Sequence, residues 1–178
     1  LQIQVGGGYG NPVITSKMIG QYNVYNILAA YAAAAVGLGI PPEMIKSGIA
    51  ALDTVSGRME RISLGQNFTA IVDFAHTPNA LENVLKLLRT VATHKLIVVF
   101  GCAGDRDPGK RFPMGASGGR YAGVTVITAE DPRTENLEKI MDEIAAGCES
   151  EGGVLHQSYV RIPDRAEAIR VAIQELAQ

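Results

Sequence analysis

From residue 58 onward, four short apolar runs alternate with four stretches of helical period, and this alternation limits the chain more than any other feature. The runs are 68–73, 95–101, 124–128 and 155–160. The intervening stretches are 78–91, 113–121, 135–148 and 163–176. Three of the runs are near-continuous in β-branched or apolar residues, as strands covered on both faces must be. In the first helical stretch Leu81, Val84, Leu85 and Leu88 share one stripe, and in the last Ala166, Ile169, Ile173 and Leu176 do so. Strands and helices that alternate at this spacing build βαβ units. The expected fold class is α/β, a Rossmann-like, mostly parallel sheet with flanking helices over residues 58–178.

Residues 1–57 differ. Leu1, Ile3 and Val5 alternate and the run 6–12 interrupts the chain. Val13 to Ile19 then resumes, which reads as two short strands around a loop. A helix from Asn23 to Val36 stops at Gly37 and Gly39, and Pro41-Pro42 opens another that ends near Leu52. Residues 53–57 read as a linker. This part is expected to be the mainly helical tail of a separate domain, and the chain, beginning at Leu1 without a signal-peptide pattern, to be a piece of something longer.

Composition narrows the classes. A net charge of −2 supplies no basic field for a nucleic-acid backbone or an anionic membrane surface. The apolar run 27–42 is shorter than the ~18 residues of a membrane span. Two cysteines, Cys102 and Cys148, make no disulfide framework and suit reduced thiols in the cytoplasm. Twenty glycines in 178 residues exceed the ~7% of an average chain. Glycine loops at strand ends account for the excess.

In open α/β sheets ligands bind beyond the carboxyl ends of the strands, and here those ends hold most of the chemistry. The first run ends Asp73-Phe74-Ala75-His76-Thr77-Pro78. The second leads into Gly104-Asp105-Arg106-Asp107-Pro108-Gly109-Lys110-Arg111, and the third into Glu130-Asp131-Pro132-Arg133-Thr134-Glu135. The second loop has the G-x-x-x-x-G-K spacing of a phosphate loop. However, Arg111 stands where Ser or Thr holds magnesium, and Asp105 and Asp107 would repel a phosphate. Two readings remain for this loop: a tight turn in which Asp and Arg pair, or a site for a carboxylate or zwitterion built on Arg106 and Lys110. Asp73 either accepts from ribose hydroxyls or caps the turn that follows it. His76 either meets a ligand or bonds to backbone.

Asn23 and Asn26 share one helix face. Asn23 reads as an N-cap, while an amide at either position also matches the donor–acceptor edge of adenine. Arg58 is either an exposed charge or a phosphate contact at a domain hinge. No His or Cys spacing suggests a zinc site, and no nucleophile signature occurs.

Taken together the residues resemble the Mur ligase family. Gly20-Gln21-Tyr22-Asn23-Val24-Tyr25-Asn26 is similar to its G-x-[FY]-N-x-x-N motif, and Gly57-Arg58-Met59-Glu60 to the G-R-x-E that enters its third domain. Residues 71–78, VDFAHTP after Ile71, resemble the V-D-Y-A-H-T-P of the branch that adds the third amino acid to the peptidoglycan precursor. Gly104-Asp105-Arg106-Asp107 with Lys110-Arg111 is similar to that branch's G-D-R-D…K-R loop, and Glu130-Asp131-Pro132-Arg133 stands at its D-N-P-R.

The resemblance implies an ATP-dependent amide ligase acting on UDP-N-acetylmuramoyl-L-alanyl-D-glutamate and a small diamino acid, meso-diaminopimelate or L-lysine, through an acyl phosphate. It implies ATP with Mg2+, whose ligands lie mostly elsewhere. It further implies that Asn23, Asn26, Arg58, Asp73 and His76 lie at the ATP, and that Arg106, Glu130, Asp131, Pro132 and Arg133 hold the acceptor amino acid. Asp105 and Lys110 are expected as additional contacts to substrate or phosphate. On this resemblance residues 1–57 end the central ATP-binding domain and 58–178 form most of the third domain. The phosphate loop, the UDP-binding domain and the family's G-K-G-H-E segment all lie outside the chain, so the piece alone is expected to be inactive. Two other readings stay open: a divergent paralogue with another acceptor, the strings at 72–78 and 130–133 counting against a folylpolyglutamate synthase, and a non-catalytic module that binds nucleotide or amino acid.

Overall fold

A computed structural model gives the structure of the chain and describes residues 1–6 and 12–177. The glycine-rich stretch 7–11 expected as a loop lies outside the described residues. The chain divides into two compact units, Leu1–Phe74 and Ala75–Gln178.

In the first unit β1 (Gln2–Gln4) pairs antiparallel with β2 (Val13–Thr15). Each strand buries only its central residue, Ile3 or Ile14, as a period of two requires. Helix α1 (Gln21–Ala32) continues through a wider π turn, Ala33–Gly37. Helix α2 (Pro42–Ala51) begins on the proline that a first helical turn tolerates. Ile27 and Tyr31 of α1, one helical turn apart, close over Ile3, Ile14 and Ile45 as the core of this unit. The residue that caps α1 is Gly20, not Asn23, which sits inside the first turn. A hairpin of β3 (Glu60–Ile62) and β4 (Ala70–Val72) completes the unit. The run 68–73 was expected in the parallel sheet. Instead β4 is antiparallel to β3 and shares no ladder with the parallel strands.

The second unit is the α/β layer. Strands β5 (Ile97–Phe100), β6 (Val124–Ile127) and β7 (Tyr159–Arg161) form a parallel sheet in that order, with Ile97 opposite Val124 and Thr125 opposite Tyr159. All four residues of β6 are buried, which is why this run carries no polar alternation. On one face Phe100 and Ile127 pack under α3 (Pro78–Val91), α4 (Arg111–Tyr121) and α5 (Leu137–Ser150), through Leu81, Leu85, Met114, Ile140 and Ile144. On the other face Val124 and Val126 meet α6 (Arg165–Val171) and its π extension Ala172–Leu176. Among the described residues no helix is long and apolar enough to cross a membrane.

Two expectations shift here. The fourth strand begins at Tyr159 rather than Leu155, because His156 takes a left-handed φ of 63° and turns the chain; Leu155 keeps one isolated bridge to Tyr159. The buried stripe of α6 is Ala168 and Ala172, while Ile169 and Ile173 are each 42% exposed. The small side chains let the helix lie close on Val124 and Val126.

Helices α4 and α5 approach so closely that side chains are excluded at their crossing. A Cβ on Gly115 would lie 1.9 Å from the Ile144 carbonyl oxygen, and one on Gly147 would lie 2.1 Å from that of Phe112. This crossing places the start of α4, and with it Arg111, directly behind the loops at the carboxyl ends of β5 and β6.

Candidate functional site

The loop after β5, residues 101–110, and the loop after β6, residues 128–136, leave adjacent parallel strands at the same end. Their backbones touch. A Cβ on Gly101 would meet the Thr128 carbonyl oxygen at 2.1 Å, and one on Gly104 would meet that of Pro132 at 1.9 Å. Gly104 N donates to Asp131 O at 2.8 Å. Asp105 crosses to the second loop, where its carboxylate accepts from Thr134 Oγ1 at 2.9 Å and Thr134 N at 3.2 Å. Its own N donates to Glu135 Oε1 at 2.6 Å. Asp107 caps the short turn Pro108–Lys110 by accepting from Gly109 N at 2.8 Å.

Arg111 lies behind both loops at 1% exposure. Its Nη2 donates to both oxygens of Glu135 at 2.8 and 2.9 Å, and its Nη1 donates to Glu143 Oε2 at 2.8 Å. The guanidinium beside it, and then the Asp105 N–H, hold the Glu135 carboxyl below its ordinary value. The pairing with Glu135 in turn raises Arg111, which stays charged although buried. Sequence reading treated Arg111 as a flaw in a phosphate loop and as part of a motif, and missed this role. Its partners lie 24 and 32 residues downstream, so no local spacing announces them.

The predicted residues of this unit fall around those loops. Arg106, next to Asp105, is exposed and has no side-chain partner among the described residues. Arg133, next to Thr134, is held in a left-handed turn at φ 49°. Its N donates to Asp131 Oδ1 at 3.2 Å, and its Nε lies 3.7 Å from Asp131 Oδ2. Asp105 is likewise left-handed, at φ 51°. Such conformations in non-glycine residues cost ~1–3 kcal/mol each and persist where surrounding bonds enforce them. Glu130 is exposed, and Pro132 supplies the backbone against which Gly104 packs. Lys110 reaches back so that its Nζ donates to His76 O at 3.2 Å, while His76 is exposed. Of the two readings of the first loop, the tight turn in which Asp and Arg pair is not what forms: Asp105 bonds to the other loop.

The remaining predicted residues belong to the first unit. Asn23 is 4% exposed, donates to Ile19 O at 2.7 Å and accepts from Asn26 Nδ2 at 3.1 Å; Asn26 itself is exposed. Asp73 Oδ2 accepts from Met59 N at 2.8 Å. Burial, and then the Asp73 charge, push the Tyr22 phenol up to about 12. Arg58 stacks on the Phe74 ring, 4.4 Å from its centroid.

A parallel α/β layer with its ionisable residues gathered in the loops at the carboxyl ends of two neighbouring strands is the ligand-binding class of doubly wound domains. Within that class, residues 57–178 match the family described as Mur ligase, glutamate ligase domain, and the chain belongs to that family. It is 47% identical over 165 residues to the UDP-N-acetylmuramoyl-L-alanyl-D-glutamate–2,6-diaminopimelate ligase of Geobacillus kaustophilus, covering 93% of this chain and 33% of that protein. It is 41% identical to the UDP-N-acetylmuramyl-tripeptide synthetase of Roseiflexus sp., covering 97% and 34%. A solved UDP-N-acetylmuramoyl-L-alanyl-D-glutamate–2,6-diaminopimelate ligase superposes with a TM-score of 0.61 at 34% identity, over 99% of this chain and 35% of that one. A Mycobacterium tuberculosis folylpolyglutamate synthase complexed with ADP shares the fold, with a TM-score of 0.71 at 23% identity over 96% of this chain and 36% of that one. The chain therefore spans about one third of the length of the relatives it matches.

Proposed function

We propose that this chain is part of an ATP-dependent amide ligase that joins a diamino acid to UDP-N-acetylmuramoyl-L-alanyl-D-glutamate in peptidoglycan synthesis, in the cytoplasm. Residues 1–57 are assigned to the end of the central ATP-binding domain and 58–178 to the acceptor-binding third domain. In the reaction the D-glutamate side-chain carboxylate takes the γ-phosphoryl group of ATP and ADP departs. The acceptor amine then attacks the acyl carbon, phosphate leaves, and the amine gives up a proton. The part assigned to this chain is positioning and charge neutralisation.

The observation that carries the reading is the pairing of Asp131 with Arg133 in the loop after β6, which is bonded through Thr134 to Asp105, the neighbour of the exposed Arg106 in the loop after β5. A carboxylate and a guanidinium side by side present both signs of charge, the complement of a zwitterionic amino-acid terminus. The far end of meso-diaminopimelate is such a terminus, whereas that of L-lysine is an ammonium alone. The name of the Geobacillus kaustophilus relative points to the same acceptor. Glu130 and Pro132 shape the rim of this site, and Asp105 and Lys110 fix its first loop.

Asn26, Arg58, Asp73 and His76 are assigned to ATP. Asn26 keeps an amide oxygen and an N–H for the adenine edge, and Asn23, whose amide is engaged with Ile19 and Asn26, braces it. Among the described residues no group of three His, Cys, Asp or Glu side chains is arranged to hold a metal ion.

The experiment is phosphate release by the protein made from its full reading frame, supplied with ATP, magnesium and the muramoyl dipeptide. meso-Diaminopimelate, L-lysine and L-ornithine are added one at a time. Release that requires meso-diaminopimelate is expected. A folded, ATP-binding protein silent with all three would refute the ligase reading.

A further inference from the structure

We infer that Arg111 is the positioning residue of the acceptor site, setting the placement of Arg106 and Arg133 without touching the substrate; the inference rests on the assignment of those two arginines to the acceptor. Arg106 follows Asp105 and Arg133 precedes Thr134, and Asp105 and Thr134 are bonded to one another through both the hydroxyl and the backbone N–H of Thr134. The two arginines are thus the immediate neighbours of a single tie between the loops. Asp105 is also bonded through its N–H to Glu135 Oε1, the oxygen that accepts from Arg111 at 2.8 Å. Glu143 on α5 fixes the other arm of the guanidinium.

The line Arg111–Glu135–Asp105–Thr134 therefore runs from the buried helix layer to the two exposed cations. It also spans the two strained turns, at Asp105 and beside Thr134 at Arg133. Strained backbone of this kind relaxes when its bonding is removed. A guanidinium is needed because its two terminal nitrogens, held apart in one plane, sit on different carboxylates, Nη2 on Glu135 and Nη1 on Glu143; a lysine ammonium keeps the charge but has one nitrogen in place of two.

The test uses the full-length protein with Arg111→Lys and, because Arg111 is buried, a second variant at the exposed tie, Thr134→Val. Steady-state constants for each substrate are read together with hydrogen exchange at the amides of Asp105 and Thr134. The Arg111→Lys protein is expected to raise KM for the acceptor amino acid about 10- to 100-fold, the range for weakened charge-assisted hydrogen bonds from the two arginines. KM for ATP should be unchanged and exchange at both amides faster. Thr134→Val is expected to move the same two readouts in the same direction by less, with an unchanged melting temperature. Unchanged exchange at Asp105 and Thr134 in both variants would overturn the inference, whatever the protein's activity. So would faster exchange accompanied by parallel changes in the KM of ATP and acceptor. If the unsubstituted protein shows no amino-acid-dependent turnover, the ligase reading fails and the inference, which rests on it, falls with it; the exchange data then still report whether the tie exists.

Discussion

Gly104→Ala is the sharpest perturbation of the candidate site, because its effect follows from one distance. A methyl group at this position would lie 1.9 Å from the Pro132 carbonyl oxygen, where real Cβ contacts essentially never fall under 3.0 Å. The obstruction is backbone, so no side chain can swing away, and the loops must part by about 1 Å. The Gly104 N–H to Asp131 O bond of 2.8 Å goes with that movement, a loss of ~1 kcal/mol. Overpacking adds ~1–3 kcal/mol where the neighbours are rigid. Because both loops leave the sheet at its rim, the cost falls on their mutual placement more than on the core. The expected outcome in the full-length ligase is a rise of about 10- to 100-fold in KM for the acceptor amino acid, the range for weakened charge-assisted contacts from the displaced loops, with KM for ATP retained. Steady-state kinetics with each substrate varied in turn measures this. A Gly104→Ala protein that kept the unsubstituted KM for the acceptor would show that the contact between the two loops is not part of the site.

Other predictions concern the scaffold and its titration. Gly147→Ala places a Cβ 2.1 Å from the Phe112 carbonyl oxygen at the α4–α5 crossing. It should lower the melting temperature by about 2–12 °C; an unchanged melting curve by circular dichroism would mean the helices are not so close. Burial pushes the thiols of Cys102 and Cys148 up to about 11, so at pH 8 only about one in a thousand is thiolate. Peptide mapping after brief iodoacetamide treatment should find both unmodified in the native protein and both modified in denaturant, and rapid native alkylation would contradict their burial. The Glu135 carboxyl is held below its ordinary 4.5, so its contribution to stability is complete above about pH 4.5 and is lost as pH falls through the lower folded-state value. Amide exchange at Asp105, referred to its intrinsic rate, should therefore be flat from pH 8 to pH 5 and faster only below; loosening already at pH 6 would implicate another group.

The elements legible in the sequence are those whose signals are local. Helix α3 runs from Pro78 to Val91 as the period of Leu81, Val84 and Leu85 requires, with Thr77 accepting from Ala80 N as its cap. Strand β6 is read from its β-branched run Val124-Thr125-Val126-Ile127, all four residues of which are buried. Where the reading slipped, a tertiary fact prevailed. Nothing near β4 announces that its partner is the antiparallel β3 instead of β5. The left-handed His156 delays β7. On α6 the sheet selects Ala168 and Ala172 for their size over the more hydrophobic Ile169 and Ile173.

The same division holds at the site. The charged residues of both loops were visible as a cluster at strand ends, and the bonds among them were not. Asp105 pairs with Thr134, 29 residues away, and Arg111 with Glu135 and Glu143. Asn23 shows how a polar side chain with two plausible tasks is settled by burial: its amide is spent on Ile19 and Asn26, and Gly20 caps the helix.

The central claim is that the loops after β5 and β6 hold the acceptor amino acid, and Arg133 tests it most directly. In the full-length protein, Arg133→Ala removes the guanidinium assigned to the far carboxylate, a charge-assisted interaction of ~1.5–3 kcal/mol. The measurement is KM for meso-diaminopimelate beside KM for ATP. The account predicts that the first rises about 10- to 100-fold while the second stays constant. An unchanged KM for meso-diaminopimelate, or a rise confined to ATP, would contradict it.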